Sequence, residues 1–208
     1  AGHYCLTPRL IVQHQEWPLR EAFNAAIDAA MQNLRPRYSY YPQVDKRYQR
    51  FMDAHPDAKT YGGDELPWTF APNVDPSNPD DPAFQLETFC GVWSETALSA
   101  SSTEAFLETA TAFLNDDTWG TLTATVIVHP ESEGPAVQQA IADLRYGTIV
   151  VNLATGGAGY STNVTPWGGH SGTTPYDVQS GIGFVQNTLM FADAHIQKSV
   201  VYNQFEKL

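Results

Sequence analysis

Apolar positions along the chain alternate between a period of two and a period near 3.6. Arg9-Leu10-Ile11-Val12, after Pro8, is a short β-branched run and predicts a strand. Pro18 then stands where a first helical turn tolerates it. Leu19, Phe23, Ala26, Ile27, Ala30 and Leu34 repeat at helical spacing until Pro36 interrupts them. Residues 35–86 lose this regularity. Prolines, glycines and the run Asp75-Pro76-Ser77-Asn78-Pro79-Asp80-Asp81-Pro82 predict loops, with one helix at Val44-Met52 and a strand near Trp68-Phe70. This segment is expected to be the least ordered of the chain.

Periodicity returns with a strand across Phe89-Trp93. The next helix opens on a capping-box signal, Ser101-Ser102-Thr103-Glu104, and its apolar face is Phe106, Leu107, Ala110, Phe113 and Leu114. Leu122 to Val128 is a β-branched strand. A helix from Glu133 to Tyr146 buries Val137, Ile141 and Leu144, with Gly147 placed to end it. Thr148-Ile149-Val150-Val151 is a further strand. Continuous β-branched runs separated by amphipathic helices predict an α/β fold of three layers, a mostly parallel sheet with helices on both faces. The whole of residues 1–208 reads as one domain. From Ala154 to Gly183 glycines crowd together and periodicity fails, which predicts a long shaped loop region where α/β proteins keep their sites. Ser199-Val200-Val201-Tyr202 resembles a terminal strand able to pair outside the domain.

Charge narrows the function classes. The net charge is −12, from 11 Lys+Arg against 23 Asp+Glu. Residues 1–60 hold 8 basic and 6 acidic side chains, and residues 61–208 hold 3 and 17. An acidic bulk repels a phosphate backbone, so nucleic acid is not an expected partner. One local exception is Arg35 to Arg50, where basic residues interleave with Tyr38, Tyr40, Tyr41 and Tyr48. Such a mixture can bind phosphate or nucleotide, although a solvated or subunit-facing surface is its commoner origin. No apolar run approaches the roughly 20 residues that a membrane-crossing helix needs, so no membrane is expected. Two cysteines, Cys5 and Cys90, make no disulfide framework, and free thiols fit a cytoplasmic location.

Several familiar chemistries lack their patterns. There is no GxGxxG after a strand, no GxxxxGK[ST], no HExxH and no CxxC, so neither a phosphate cradle nor a metal site is expected. Ser171 in Gly169-His170-Ser171-Gly172 lacks the frame of a hydrolase nucleophile. The six histidines form no ligand spacing and read as surface or core residues.

The opening Ala1-Gly2-His3-Tyr4-Cys5-Leu6-Thr7-Pro8-Arg9-Leu10-Ile11-Val12 resembles the segment around the nucleophilic cysteine of the aldehyde dehydrogenase superfamily. Three further matches follow in order. Glu87-Thr88-Phe89 is similar to the Glu-x-Phe motif that holds the nicotinamide ribose. Asn115 with Thr118-Trp119-Gly120-Thr121-Leu122 resembles the turn before a strand. Gly147 to Asn152, then Pro166-Trp167-Gly168-Gly169 and Ser171-Gly172, resemble the family's closing motifs. The departures point to a divergent member: Cys90-Gly91 replaces Gly-Pro, Trp167 replaces Phe, and Thr173-Thr174-Pro175 replaces Gly-Arg-Glu.

The resemblance implies an NAD- or NADP-dependent oxidation of a small-molecule aldehyde. Cys5 would form a thiohemiacetal and then a thioester, with its backbone N–H helping to hold the oxyanion. Glu87 and Phe89 would contact the cofactor. Tyr4 and Leu6 would line the aldehyde tunnel, closed by a loop carrying Gly157 and Tyr160. Asn152 is expected to satisfy backbone groups at a strand end. The family's cofactor-binding domain, general-base glutamate and oxyanion asparagine all precede the cysteine. The resemblance therefore implies an excised catalytic domain, inactive alone, from a homo-oligomeric parent. The same scaffold would also suit an acyl-CoA or acyl-phosphate reductase, or a non-catalytic relative.

Overall fold

The computed structural model describes residues 2–35, 37–63, 66–154, 167–182, 184–185 and 197–203. They cluster as two compact units, Ala1–Ala110 and Thr111–Leu208.

The first unit runs β1 (Leu10–His14), α1 (Arg20–Gln32), α2 (Val44–Ala54), β2 (Lys59–Tyr61), β3 (Trp68–Val74), α3 (Pro82–Gln85) and β4 (Val92–Leu98). Its sheet has the order β1-β4-β3-β2. β4 is parallel to both β1 and β3, with Leu10 opposite Ser94 and Thr69 opposite Val92, and β2 pairs antiparallel with β3. Ile27 and Met31 of α1 form a buried cluster with Trp68 and Phe70 of β3, joined by Ile11, Phe23, Tyr61 and Trp93. The stripe of α1 facing this cluster is therefore Phe23, Ile27 and Met31, each four residues apart, with Ile27 and Met31 buried and Phe23 half-buried. Ala26, Ala30, Leu19 and Leu34, expected on that face, are exposed.

Residues 35–86 hold more structure than their prolines suggest. α2, β2, β3 and α3 all fall within them, and Phe51, Phe70 and Phe84 are almost wholly buried. Their cohesion comes from long-range pairing, which periodicity does not report. The start of α1 is fixed the same way. Arg20 donates through Nε and one terminal nitrogen to the two oxygens of Glu95, both at 3.0 Å, and Glu95 also accepts from the Asn73 amide at 2.9 Å. Asn73 is left-handed at φ 60°, where the register between β3 and β4 shifts.

α4 (Thr103–Asp116) carries the boundary between the units. Its cap is Ser102, whose hydroxyl accepts from the Ala105 amide at 3.2 Å, one residue later than the capping box places it. The second unit continues with β5 (Thr123–Val126), α5 (Pro135–Asp143), β6 (Thr148–Val151), β7 (Trp167–Gly168), β8 (Phe184–Val185) and β9 (Ser199–Tyr202). β5-β6-β9 is a parallel sheet in which every residue of β6 is buried, and β7 and β8 pair antiparallel. These sheets, parallel apart from β2 and the β7–β8 pair, with their intervening helices match the α/β class expected.

Two expectations need correction here. β9 pairs with β6 inside the unit rather than outside it, because Val150 and Val201 stand opposite one another in register. Gly147 does not cap α5, whose helical residues end at Asp143. It is glycine because a Cβ there would meet Gly168 O at 1.8 Å. Lys198 instead covers the end of α5. Its ammonium donates to Ile141 O at 3.1 Å and to the carbonyls of Ala142 and Leu144.

Candidate active site

Cys5 sits at the corner of a turn immediately before β1. The Thr7 amide donates to Tyr4 O at 3.0 Å, which closes the turn and leaves Cys5 and Tyr4 exposed and Leu6 half-buried. The segment before it is anchored. His3 is buried, with Nε2 3.2 Å from Ser39 Oγ and its ring edge-on to Trp68 at 5.9 Å. His3 O accepts from the Tyr41 hydroxyl at 3.2 Å and the Tyr40 hydroxyl at 3.4 Å.

Gly2, at φ 74°, approaches the backbone of a second segment so closely that a Cβ would lie 1.5 Å from Cys90 O. That second segment is the bend carrying Glu87-Thr88-Phe89. The strand predicted across Phe89-Trp93 begins only at Val92, because Phe89 is left-handed at φ 54° and Cys90-Gly91 bend the chain. Gly91 allows no side chain either, since a Cβ would come within 2.3 Å of the Trp68 ring.

Charged groups hold this bend from both sides. Asp81 caps α3 by accepting from the Ala83 amide at 2.8 Å and also takes His55 Nε2 at 2.8 Å. Arg9, four residues after the thiol, donates to Phe84 O at 2.8 Å, Ala83 O at 3.0 Å and Leu86 O at 3.4 Å. Glu87 follows directly and is half-buried. Burial pushes its carboxyl above the usual carboxylate range, and the Arg9 charge pulls it partly back. Arg47 Nε donates to Thr88 O at 3.1 Å, and the Arg47 guanidinium carbon lies 5.9 Å from the Phe89 ring centroid.

Tyr41 ties the two segments together. Its ring packs on Phe89 at 4.8 Å and stacks on Tyr40 at 4.7 Å, while its hydroxyl reaches His3 O. Hydrogen bonding with Tyr40 raises the Tyr41 hydroxyl above its ordinary value first; burial and the nearby Cys5 and Tyr4 groups add to this. Cys5 and Phe89 are thus brought into one neighbourhood. Cys90 is fully buried within it, and burial pushes its thiol up, which disfavours the nucleophilic thiolate.

The motifs of the second unit are fasteners. Asn115 donates to Asp143 O at 3.0 Å and accepts from the Arg145 amide at 2.7 Å. Gly120 is left-handed at φ 103°, and its amide donates to Gln179 Oε1 at 2.9 Å. Asn152, as expected, serves a strand end: its side-chain oxygen accepts from the Val128 amide at 2.9 Å. Gly157 and Tyr160 lie outside the described residues. Among the described residues no group of three His, Cys, Asp or Glu side chains could hold a metal, and no helix is long and apolar enough to cross a membrane.

No family model matches the chain, and no curated protein matches it. Solved structures do. An NAD-dependent aldehyde dehydrogenase from Sinorhizobium meliloti aligns at a TM-score of 0.59 and 19% identity, covering 82% of this chain and 34% of that one. Aldehyde dehydrogenase 21 from Physcomitrella patens, in complex with the reaction product succinate, gives 0.59 and 14%, covering 81% and 35%. A betaine aldehyde dehydrogenase from Staphylococcus aureus in complex with NAD+ gives 0.57 and 17%, covering 82% and 35%. The chain has the fold of part of an aldehyde dehydrogenase. It spans about a third of the length of the structures it matches. Arg47 and Tyr41 are the neighbours of the aldehyde dehydrogenase-like segments that sequence reading left unassigned; their only signal was the basic and aromatic stretch at 35–50.

Proposed function

We propose that this chain is the cysteine-bearing part of an NAD- or NADP-dependent aldehyde dehydrogenase, with Cys5 as nucleophile and Glu87 and Phe89 as cofactor contacts. One observation carries the reading. An exposed thiol turn is seated, through Gly2 and Tyr41, on the bend that presents a half-buried carboxylate and a half-buried aromatic ring.

These residues fit a nicotinamide nucleotide. Ionised Glu87 is an acceptor suited to ribose hydroxyls, and Phe89 offers a flat apolar face held in one backbone conformation. The bound cofactor supplies the hydride acceptor. The chain's own part begins at Cys5. Its thiolate sulfur adds to the aldehyde carbonyl carbon, the carbon–oxygen π pair moves to oxygen, and a thiohemiacetal results once that oxygen is protonated. Tyr4 and Leu6 flank the reacting carbon and shape which aldehydes reach it.

Glu87 alone contributes about 1.5–3 kcal/mol as a hydrogen bond to a charged group. Micromolar affinity needs roughly 8 kcal/mol. The 208-residue chain by itself is therefore proposed to give no aldehyde-dependent reduction of NAD or NADP, and the activity to belong to a longer protein carrying this chain. Reduced-cofactor absorbance measured on that protein, with Cys5→Ser beside it, tests the proposal. Activity lost in Cys5→Ser supports it; activity that persists at the parental rate removes Cys5 as nucleophile.

A further inference from the structure

We infer that Arg47 is a positioning residue for the Glu87-Thr88-Phe89 bend, holding the Phe89 ring at the angle a nicotinamide would meet; this rests on the function proposed above.

Arg47 lies in the first turn of α2, half-buried, 41 residues from the bend in sequence. One terminal nitrogen donates to Pro42 O at 2.9 Å, which fixes the guanidinium against the start of its own helix. Nε then donates to Thr88 O at 3.1 Å, and the guanidinium carbon stands 5.9 Å from the Phe89 centroid. The same ring meets Tyr41 at 4.8 Å and a tilt of 50°. Phe89 is in the left-handed region at φ 54°, a conformation that a non-glycine residue keeps only when its surroundings impose it. Arg47 and Tyr41 are those surroundings: one fixes the preceding carbonyl and attracts the ring's electron-rich face, the other packs the ring.

A planar fork does this and a point charge does not. Lysine has no fixed geometry with which to serve Pro42 O, Thr88 O and the ring together. Arg47 is therefore withdrawn from the pool of basic residues available to a phosphate, which changes the reading of the 35–50 stretch.

The test uses Arg47→Met, Arg47→Lys and, as control, Arg50→Met, whose native side chain is exposed. In the 208-residue chain, the Thr69 and Val92 amides bond to Gly91 O and Cys90 O, both at 2.8 Å, and report on the bend. Losing a hydrogen bond from a charged donor should speed their exchange by about tenfold or more in Arg47→Met, with Arg47→Lys intermediate and Arg50→Met unchanged. In the longer protein, KM for NAD or NADP should rise by about tenfold while KM for the aldehyde holds. Unchanged exchange at Thr69 and Val92 overturns the inference. Faster exchange with an unaltered cofactor KM also overturns it, because Arg47 would then be structural only. Persistent activity in Cys5→Ser would strike the proposed function, while the exchange result still reads the Arg47 contact separately.

Discussion

Replacing Gly2 with alanine perturbs the join between the thiol segment and the Glu87–Phe89 bend while touching neither Cys5 nor Glu87. The new Cβ would stand 1.5 Å from Cys90 O and 2.4 Å from Cys90 C, distances that no side-chain rotation relieves because the neighbour is backbone. The left-handed conformation at φ 74° adds about 1–2 kcal/mol for any residue with a Cβ. Relief requires the segment to lift. His3 would then lose Ser39 at 3.2 Å and the Tyr41 and Tyr40 hydroxyls at 3.2 and 3.4 Å. Three long neutral hydrogen bonds are worth roughly 1.5–3 kcal/mol net. The local opening should therefore become easier by about 2.5–5 kcal/mol, on the order of a hundredfold or more in population. Mass-resolved hydrogen exchange reads this at the Thr7 amide, bonded to Tyr4 O, and at the Val92 amide, bonded to Cys90 O. Exchange in β6 should not move. Parental exchange at Thr7 and Val92 in Gly2→Ala would refute the docking of the thiol segment on the bend.

Glu87→Gln should leave stability at neutral pH unchanged or slightly raised while weakening cofactor binding. The folded carboxyl is raised above its ordinary 4.5, so the native state holds the proton more readily than the unfolded chain. Its contribution is greatest at low pH and is lost as pH rises through the raised value; melting curves of parent and variant should diverge across that window, and a constant offset would contradict the assignment. Glu95→Ala removes the buried acceptor shared by Arg20 and the Asn73 amide, leaving Arg20 only Asn73 Oδ1 at 2.6 Å and Glu21 at 3.6 Å. Urea unfolding of the first unit should lose about 3–5 kcal/mol, whereas a loss under about 1 kcal/mol, the range of exposed pairs, would mean that water already serves these groups.

Legibility followed the range of the forces involved. α4 and α5 carry local signals, and their buried faces (Ala110 and Phe113, Val137 and Ile141) are the ones periodicity names. β6 is buried at every residue, as a continuous β-branched run should be. Failures arose where a distant partner decides. Met31 displaces Ala26 and Ala30 from the buried stripe of α1 because Trp68 and Phe70 wait on that side. β4 starts late because Phe89 is left-handed, and Gly147 is glycine for the sake of Gly168. Motif resemblance singled out Cys5, Glu87 and Phe89 as candidates, whereas the burial of Cys90 beside them comes from the structure. Arg47 was not legible, since its contact with Thr88 spans 41 positions and leaves no periodic trace.

Competitive alkylation addresses the central claim on the chain itself. Brief iodoacetamide treatment of the folded protein, followed by peptide mapping, should label Cys5 well ahead of Cys90, which is buried with its thiol pushed up. Exposure alone could give that order, so the decisive arm adds an aldehyde. A thiolate built to attack a carbonyl forms a thiohemiacetal without any cofactor, and the adduct blocks alkylation. Aldehyde should slow labelling of Cys5 at concentrations that leave glutathione alkylation unchanged. Preferential labelling of Cys90, or a Cys5 rate indifferent to aldehyde, would contradict it.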